Sequence, residues 1–417
     1  MKKQKTYRDT MRACSLASVS QAIINNLSPL LFVLFQDAYG VSLERIGLLI
    51  LLNFGTQLAV DALCVHYADR IGQRPLIVAA HGLCAAGLVL LSVLPGLMPS
   101  APYLGLSLAV VTYAVGGGLI EVLASPIADA LPGDAKAMSM SLLHSFYCWG
   151  HVLVVLLTTA GLSVVGQGGW RWLPVLWAVV PAYNAVNFLR VPLVPVTPES
   201  ERTPLSKLLS SKGFLLAVLL MACSGAAEQA MSQWASLFAQ KGLQLSKALG
   251  DLLGPCLFAA LMGLGRVLYG VWGNRLRLSR ALSLSAALCV LCYLVTALSA
   301  SPIVALAGCA VTGFSVSLMW PGMLSLCARA FPASGTALFG LLALGGDLGC
   351  SVGPWLTGLV SDVAIGVPGI VPMGARAGLS ALQTGLKSGL LAAVVFPAAL
   401  LIGVLLLQRT REEKAGV

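Results

Sequence analysis

Apolar residues dominate this chain in runs of about 20 residues, separated by short polar segments. Twelve such runs occur, at 13–36, 43–67, 75–98, 102–128, 137–165, 171–191, 213–240, 248–272, 278–299, 302–328, 334–362 and 380–408. A helix of ~20 residues, rising ~1.5 Å per residue, crosses ~30 Å of hydrocarbon. The pattern therefore predicts an all-α polytopic membrane protein with twelve transmembrane helices.

One long polar stretch interrupts the series. Residues 192–212 read PLVPVTPESERTPLSKLLSSK and are rich in Pro, Ser and charge, which is typical of a linker. The sequence thus predicts two six-helix bundles, at 13–191 and 213–408, joined by this linker. Residues 1–12 and 409–417 are expected to be polar tails.

Composition supports the same interpretation and excludes other classes. Hydrophobic residues make up 58% of the chain and charged residues 10%, whereas soluble domains carry roughly 25% charged residues. The net charge of +10 comes from basic residues between the apolar runs, so it does not indicate nucleic-acid binding. Phosphate-loop, zinc-helix and Ser-His-Asp patterns are absent from the sequence, and the eleven cysteines lack paired C-x-x-C motifs. We expect no enzymatic activity, cofactor or metal.

The basic residues predict the orientation in the membrane. If the N-terminus is cytoplasmic, nineteen of the 26 Lys and Arg residues fall on the cytoplasmic side and six on the other, with Arg266 left inside a run. This asymmetry follows the positive-inside rule. We therefore expect a multi-pass plasma-membrane protein with both termini in the cytoplasm.

The two predicted halves repeat each other. The segment after run two reads HYADRIGQR and the segment after run eight reads GVWGNRLRLSR. The corresponding Asp69 and Asn274 are about 200 residues apart, close to the length of one half. Parallel six-helix repeats with a binding site near the membrane midplane are a recurrent plan of transporters.

The D-R-x-G-x-R segment at Asp69, Arg70 and Arg74 resembles the loop signature of the major facilitator superfamily. Val65 and Gln73 stand where that signature has Gly and Arg. In the superfamily this loop is a charged latch, so the resemblance implies a gating role for these three residues and for Arg275 in the second half. The alternative is a basic loop that only sets topology.

Several shorter stretches resemble the fucose–galactose–glucose:proton symporters of that superfamily. They are Asn25-Asn26 in run one, GGGLIEVLASP in run four, LLHSFYCWG in run five and Trp320-Pro321 in run ten. The resemblance implies that Glu121 couples protons and contacts a sugar. It departs at Pro29 and His144, where the family has Asp and Gln.

Charged residues inside the apolar runs are the main chemical candidates. Such a group costs ~2.5–3.5 kcal/mol at the bilayer centre, so it usually faces the protein interior or a cavity. The candidates for proton coupling are Glu121, Glu228 and Asp347. Asp61 and Arg266 lie nearer the predicted cytoplasmic ends and are expected to act in gating, although Arg266 could instead pair with Asp347. Structural hydrogen bonds between helices are the alternative for each carboxylate.

Polar stripes on two helices suit a hydroxylated solute. Gln21 and Asn25 share a helical face, and Ser224, Glu228 and Ser232 form a second stripe at i, i+4 spacing. The predicted substrate-binding residues are Gln21, Asn25, Asn26, Glu121, His144, Glu228, Trp234 and Trp320. Helix-to-helix hydrogen bonding and core packing remain the alternatives.

These features predict a monomeric secondary active transporter of a sugar or similar small polar solute, driven by protons through alternating access. One alternative is a drug or metabolite:proton antiporter, although run five lacks the G-x-x-x-G-P-x-x-G-G motif typical of those exporters. A second alternative is a membrane receptor that does not transport.

Overall fold

The computed structural model describes residues 5–132, 136–194, 210–272, 278–330 and 335–414, and all regular structure in these ranges is helical. The helices are α1 Tyr7–Tyr39, α2 Leu43–Ile71, α3 Gln73–Leu97, α4 Pro102–Asp129, α5 Lys136–Val165, α6 Trp172–Phe188, α7 Lys212–Leu237, α8 Lys247–Asp251, α9 Leu257–Trp272, α10 Leu278–Leu298, α11 Pro302–Val316, α12 Met319–Ala330, α13 Gly335–Gly366, α14 Ile370–Arg376, α15 Ala381–Ala392 and α16 Val395–Lys414. The predicted all-α membrane fold is confirmed.

The described ranges hold eleven helical segments that are long and apolar enough to cross a membrane. The sixth predicted run corresponds to α6, which has 17 residues. That length is at the short limit of ~17–25 residues for a membrane-spanning helix. A short 3-10 turn at Gln167–Gly169 lies between the fifth and sixth runs, just before α6. Each of the twelve predicted runs therefore contains a helix.

Prolines divide three of these runs. Proline has no N–H, so it cannot bond to the carbonyl four residues earlier, and its ring clashes with that carbonyl. Pro321 follows the break between α11 and α12, and Pro397 follows the break between α15 and α16. Pro255 lies in the π-helical turn Leu252–Cys256 that joins α8 to α9. Each of these breaks coincides with a proline, whereas Pro29, Pro95, Pro181 and Pro354 lie inside continuous helices.

The chain forms two compact units. Unit 1 comprises Met1–Val41 and Leu52–Pro198, and unit 2 comprises Ser42–Leu51 and Glu199–Val417. The first residues of α2 therefore group with unit 2 and the rest with unit 1, which the predicted boundaries 13–191 and 213–408 did not anticipate. Most of the predicted linker, 195–209, lies outside the described residues.

Close helix packing in each unit depends on glycine. In unit 1, a Cβ atom on Gly116 of α4 would lie 2.4 Å from the Ala80 carbonyl oxygen of α3. In unit 2, a Cβ on Gly349 of α13 would lie 1.8 Å from the Ala222 carbonyl oxygen of α7. Small residues allow such close backbone approach, and this packing is what holds membrane helices together where the surrounding lipid is equally apolar.

Replacing Gly349 with Ala is expected to destabilise unit 2, because α7 and α13 must separate to admit the methyl group. The expected cost is about 1–3 kcal/mol, which would show as a lower melting temperature of the purified protein. The control is Gly366→Ala at the end of the same helix, where a Cβ meets nothing within 4 Å. Equal melting temperatures for the two variants would contradict the proposed packing.

Candidate functional site

Unit 1 contains a chain of amide side chains that ends at a carboxylate. Gln21 of α1 donates from Nε2 to Glu121 Oε2 of α4 at 3.1 Å and to Gln57 Oε1 of α2 at 2.7 Å. Gln57 Nε2 in turn donates to Asn25 Oδ1 at 2.9 Å and to Asn53 Oδ1 at 3.1 Å. Asn53 Nδ2 donates to Asn25 Oδ1 at 3.1 Å. Three helices are thereby joined through side-chain hydrogen bonds.

Glycines in α4 bring this network together. A Cβ on Gly118 would lie 2.9 Å from the Gln57 carbonyl oxygen, and a Cβ on Gly117 would lie 3.1 Å from Gln57 Oε1. The glycine run just before Glu121 therefore lets α2 approach α4 closely. As a result, the carboxylate one turn further along α4 comes within reach of the Gln21 amide.

Glu121 is exposed, whereas Gln21, Asn25, Asn53 and Gln57 are buried. A carboxylate facing lipid in the middle of a span would be costly, so its exposed face must open on a polar, water-accessible space. Among the described residues, Glu121 forms no ion pair; its hydrogen bond is to Gln21. The carboxylate is therefore both held in place and accessible, as a group that exchanges protons or binds a solute must be.

Other predicted unit 1 residues lie on α1 and α5. Asn26 is 3% exposed and donates to the Ala22 carbonyl at 2.9 Å and to Tyr147 Oη at 3.2 Å. Its amide therefore connects α1 to α5. His144 is exposed on α5, one turn before Tyr147. Of these predicted residues, His144 and Glu121 are the two that reach accessible space.

Unit 2 holds an ion pair between α7 and α9. The Arg266 guanidinium lies 3.6 Å from Glu228 Oε2, and both side chains are largely buried. Glu228 Oε1 also faces Gln229 Nε2 at 3.5 Å. Arg266 was expected to act in gating or to pair with Asp347. Arg266 lies opposite Glu228, where it neutralises a buried carboxylate, while its gating role and its pairing with Asp347 stay predictions.

The remaining predicted unit 2 residues differ in accessibility. Trp234 is 1% exposed and its indole N–H donates to the Pro354 carbonyl at 3.0 Å, so in this conformation it is a packing residue. Trp320 is partly exposed, and its ring lies against Gly346. Asp347, the next residue, is buried. The solute-binding roles of Trp234 and Trp320 stay predictions, and the structure favours only that of Trp320.

The predicted gating residues are only partly described. Arg74 donates to the carbonyls of Phe188 at 2.6 Å and Val191 at 2.9 Å, so it caps the end of α6. Asp61 is buried on α2, one turn beyond Gln57. Arg275 and the side chains of Asp69 and Arg70 lie outside the described residues. Gating by this set stays a prediction.

Sequence reasoning missed two parts of the charged and polar interior. Asn53 and Gln57 have i, i+4 spacing inside an apolar run, which is the same signal as the polar stripe of Gln21 and Asn25 in run one. A buried pair also joins Lys247 Nζ to Asp251 Oδ2 at 2.6 Å, and Ser236 donates to the same carboxylate. Lys247 and Asp251 also have i, i+4 spacing, which could have revealed the pair.

Solved structures share this fold over nearly the whole chain. A bacterial homolog of the human lysosomal transporter Spinster, inward-facing and occupied, matches with a TM-score of 0.75 at 18% identity, covering 98% of both chains. The nucleoside transporter NupG matches with a TM-score of 0.69 at 12% identity, covering 95% of this chain and 99% of that one. The E. coli fucose:proton symporter FucP matches with a TM-score of 0.61 at 16% identity, covering 96% and 98%. At these identities the likeness concerns the fold.

Sequence comparison identifies the family. No curated protein sequence matches the chain. The family model described as Major Facilitator Superfamily matches residues 13–354, which is most of the sequence. Together with the helical architecture and the solved structures above, this match shows that the chain belongs to the major facilitator superfamily of membrane transporters.

Proposed function

We propose that this protein is a secondary active transporter that moves a sugar or similar small polar solute together with protons by alternating access. The observation that carries the proposal is the accessible Glu121 carboxylate, held by the Gln21 amide in the middle of a span. A carboxyl that water can reach at this position can take up and release a proton. It also accepts hydrogen bonds from solute hydroxyls when ionised and donates one when protonated.

Other unit 1 groups suit a hydroxylated solute. His144 offers a polar group from α5, and the Asn26–Tyr147 pair places an amide and a phenol on the same helices. Hydroxyl groups need both donors and acceptors, and amide and phenol side chains supply both. The fucose:proton symporter FucP, which shares the fold, agrees with this solute class, although its sequence is distant.

In unit 2, the Glu228–Arg266 pair is a second candidate for proton coupling. Protonation of Glu228 would remove the charge that faces Arg266 at 3.6 Å, so proton uptake there changes the local charge balance. Trp320 offers a partly exposed indole face on which a sugar ring can stack. Asp347 is a third buried carboxyl that could take up a proton.

The proposal extends to the location, oligomeric state and orientation of the protein. We propose a monomer in the plasma membrane, a location that chain length and family favour, and the basic-residue asymmetry supports cytoplasmic termini. Its partners are the solute, protons and the lipid bilayer. No enzymatic step is proposed.

Flux into proteoliposomes tests the proposed function. The purified protein is reconstituted and offered labelled neutral sugars, polyols, nucleosides and cationic dyes at two pH values, with protein-free liposomes as the control. We expect uptake of a neutral hydroxylated solute that follows an inward proton gradient and stops when a protonophore is added. Expulsion of a cationic dye would favour the antiporter, and no flux of any solute would contradict transport.

A further inference from the structure

In the amide network behind Glu121, the choice of donor and acceptor in one hydrogen bond sets the choice in the next. As placed, Gln21 donates to Glu121 and to Gln57, and Gln57 and Asn53 donate to Asn25. Glu121 therefore acts only as an acceptor, which is what an ionised carboxylate requires. A protonated Glu121 would instead hold an O–H that needs an acceptor.

Side-chain amides can meet that need without moving out of place. The oxygen and nitrogen of Asn and Gln are nearly the same size, so rotating the amide by half a turn exchanges donor and acceptor at the same positions. Gln21 Oε1 is buried and accepts no hydrogen bond from the described residues, so rotation of Gln21 breaks no bond there. After rotation its oxygen would face the protonated Glu121.

The rotation cannot stop at Gln21. Its oxygen would then also face Gln57 Oε1, so Gln57 must rotate to present Nε2. Asn25 and Asn53 must rotate for the same reason. After all four rotations, each of the five side-chain bonds joins the same two positions with donor and acceptor exchanged. The long contact from Gln57 Nε2 to the Asn53 carbonyl, at 3.4 Å, has no reversed counterpart.

We propose that Gln57 is a positioning residue at the centre of an amide relay. In this relay the side chains of Gln21, Gln57, Asn25 and Asn53 exchange hydrogen-bond donors and acceptors when Glu121 takes up a proton. The proton adds to Glu121 Oε2 from the accessible space and stays there, and no proton travels along the amides. The relay carries the protonation state from α4 through α1 to α2. This inference rests on the proposed role of Glu121 as the proton-binding group.

Burial makes the relay cooperative. Gln57 is 1% exposed and Asn53 is 5% exposed, so solvent does not readily replace a mismatched bond between them. Two facing oxygens, or two facing N–H groups, in this interior would be costly. The network is therefore expected to occupy one direction or the other as a whole. Because Asn53 and Gln57 belong to α2, the protonation state can alter how α2 is held against α1.

Other titratable groups on the neighbouring helices must be separated from Glu121. They include Asp61 on α2, His81 on α3, and His144 and His151 on α5, besides Asp9 and Asp37 on α1 and Glu44 on α2. His81 is fully buried and bonded to the Ile77 carbonyl and to Asn184. Glu121→Gln removes the carboxyl while leaving these groups in place, so it separates their signals from that of Glu121.

Infrared difference spectroscopy of the purified protein tests the relay without knowledge of the solute. The protein carries isotope-labelled glutamine, and spectra are compared above and below the pH at which the carboxyl band appears. In the native protein we expect the carboxyl band and a labelled amide band to change with one common pH midpoint. Glu121→Gln should lose the amide change and the part of the carboxyl band that belongs to Glu121. Gln57→Met should keep the carboxyl band and lose most of the amide change.

The control is Gln36→Met, the same substitution at a glutamine on α1 outside the network, which should leave the spectrum as in the native protein. Asn53→Leu shortens the relay at its far end and should also weaken the amide change. This variant provides the test if Gln57→Met does not fold. A carboxyl band that titrates with no amide change would overturn the relay while leaving proton binding by Glu121 intact. A carboxyl band of undiminished intensity in Glu121→Gln would overturn the proton-binding role itself.

Discussion

Glu121→Gln is expected to abolish proton-driven accumulation of the solute while leaving solute exchange across the membrane intact. Glutamine has the shape of glutamate and can still hydrogen-bond both Gln21 and a solute hydroxyl. It cannot gain or lose a proton, so the solute and the proton gradient are no longer coupled.

The size of this effect follows from the gradient. A difference of one pH unit corresponds to about 1.4 kcal/mol, which supports about tenfold accumulation if one proton moves with each solute. Proteoliposomes with the native protein should approach that ratio, whereas Glu121→Gln should stop at about equal concentrations inside and outside. Exchange of labelled for unlabelled solute, which needs no net proton movement, should persist in both.

The matched control is Glu44→Gln. Glu44 is an exposed carboxylate in the first turn of α2, outside the amide network. This variant should accumulate solute as the native protein does. If Glu121→Gln also accumulates solute fully, the coupling carboxyl must be sought elsewhere, first at Glu228.

Arg266→Met is expected to destabilise unit 2 strongly, because it leaves the Glu228 carboxylate buried without its counter-charge. Removing one partner of a buried ion pair typically costs about 3–5 kcal/mol. The 3.6 Å separation is longer than an N–H···O hydrogen bond, so we expect a value near the lower end, about 3 kcal/mol. The measurement is the denaturant dependence of unfolding in detergent.

A second substitution should reverse much of this loss. In the double variant Arg266→Met with Glu228→Gln, no charge remains to be desolvated, so stability should recover towards that of the native protein. Arg12→Met serves as the control, since Arg12 also faces a carboxylate, Asp9, at 3.5 Å but its side chain is 81% exposed. Water solvates that pair, so its loss should leave stability unchanged. Equal effects at Arg266 and Arg12 would contradict a buried ion pair.

Part of the candidate site could be identified from residue patterns in the sequence. Glu121 could be selected from the sequence because a carboxylate inside an apolar run is costly and rarely kept without a role. Gln21 and Asn25 could be placed on one helical face because α-helices repeat every 3.6 residues. Their partners on α2 could not be identified, because neutral amides in a span carry a smaller cost and a weaker signal.

The charged groups of unit 2 show the same limit. Arg266 could have paired with Asp347 or acted near a cytoplasmic end, and the sequence favoured neither. Which carboxylate it meets depends on how α7 and α9 are rotated about their axes, and that rotation follows from packing across the whole unit. Trp234 was predicted to contact solute because it is an aromatic residue beside a polar stripe. It lies on a face of α7 that points into the core, where its indole N–H donates to the Pro354 carbonyl.

The twelve apolar runs and the few charges inside them are evident from the sequence alone, because each depends on residues close together in the chain. Packing between the helices settles which of those charges are paired, which are accessible, and which amides join Glu121 into one network. Those outcomes depend on helix rotation and close approach at glycines, which bring together residues as distant as Gln21 and Glu121. Helical periodicity specifies a face but not the partner that the face meets.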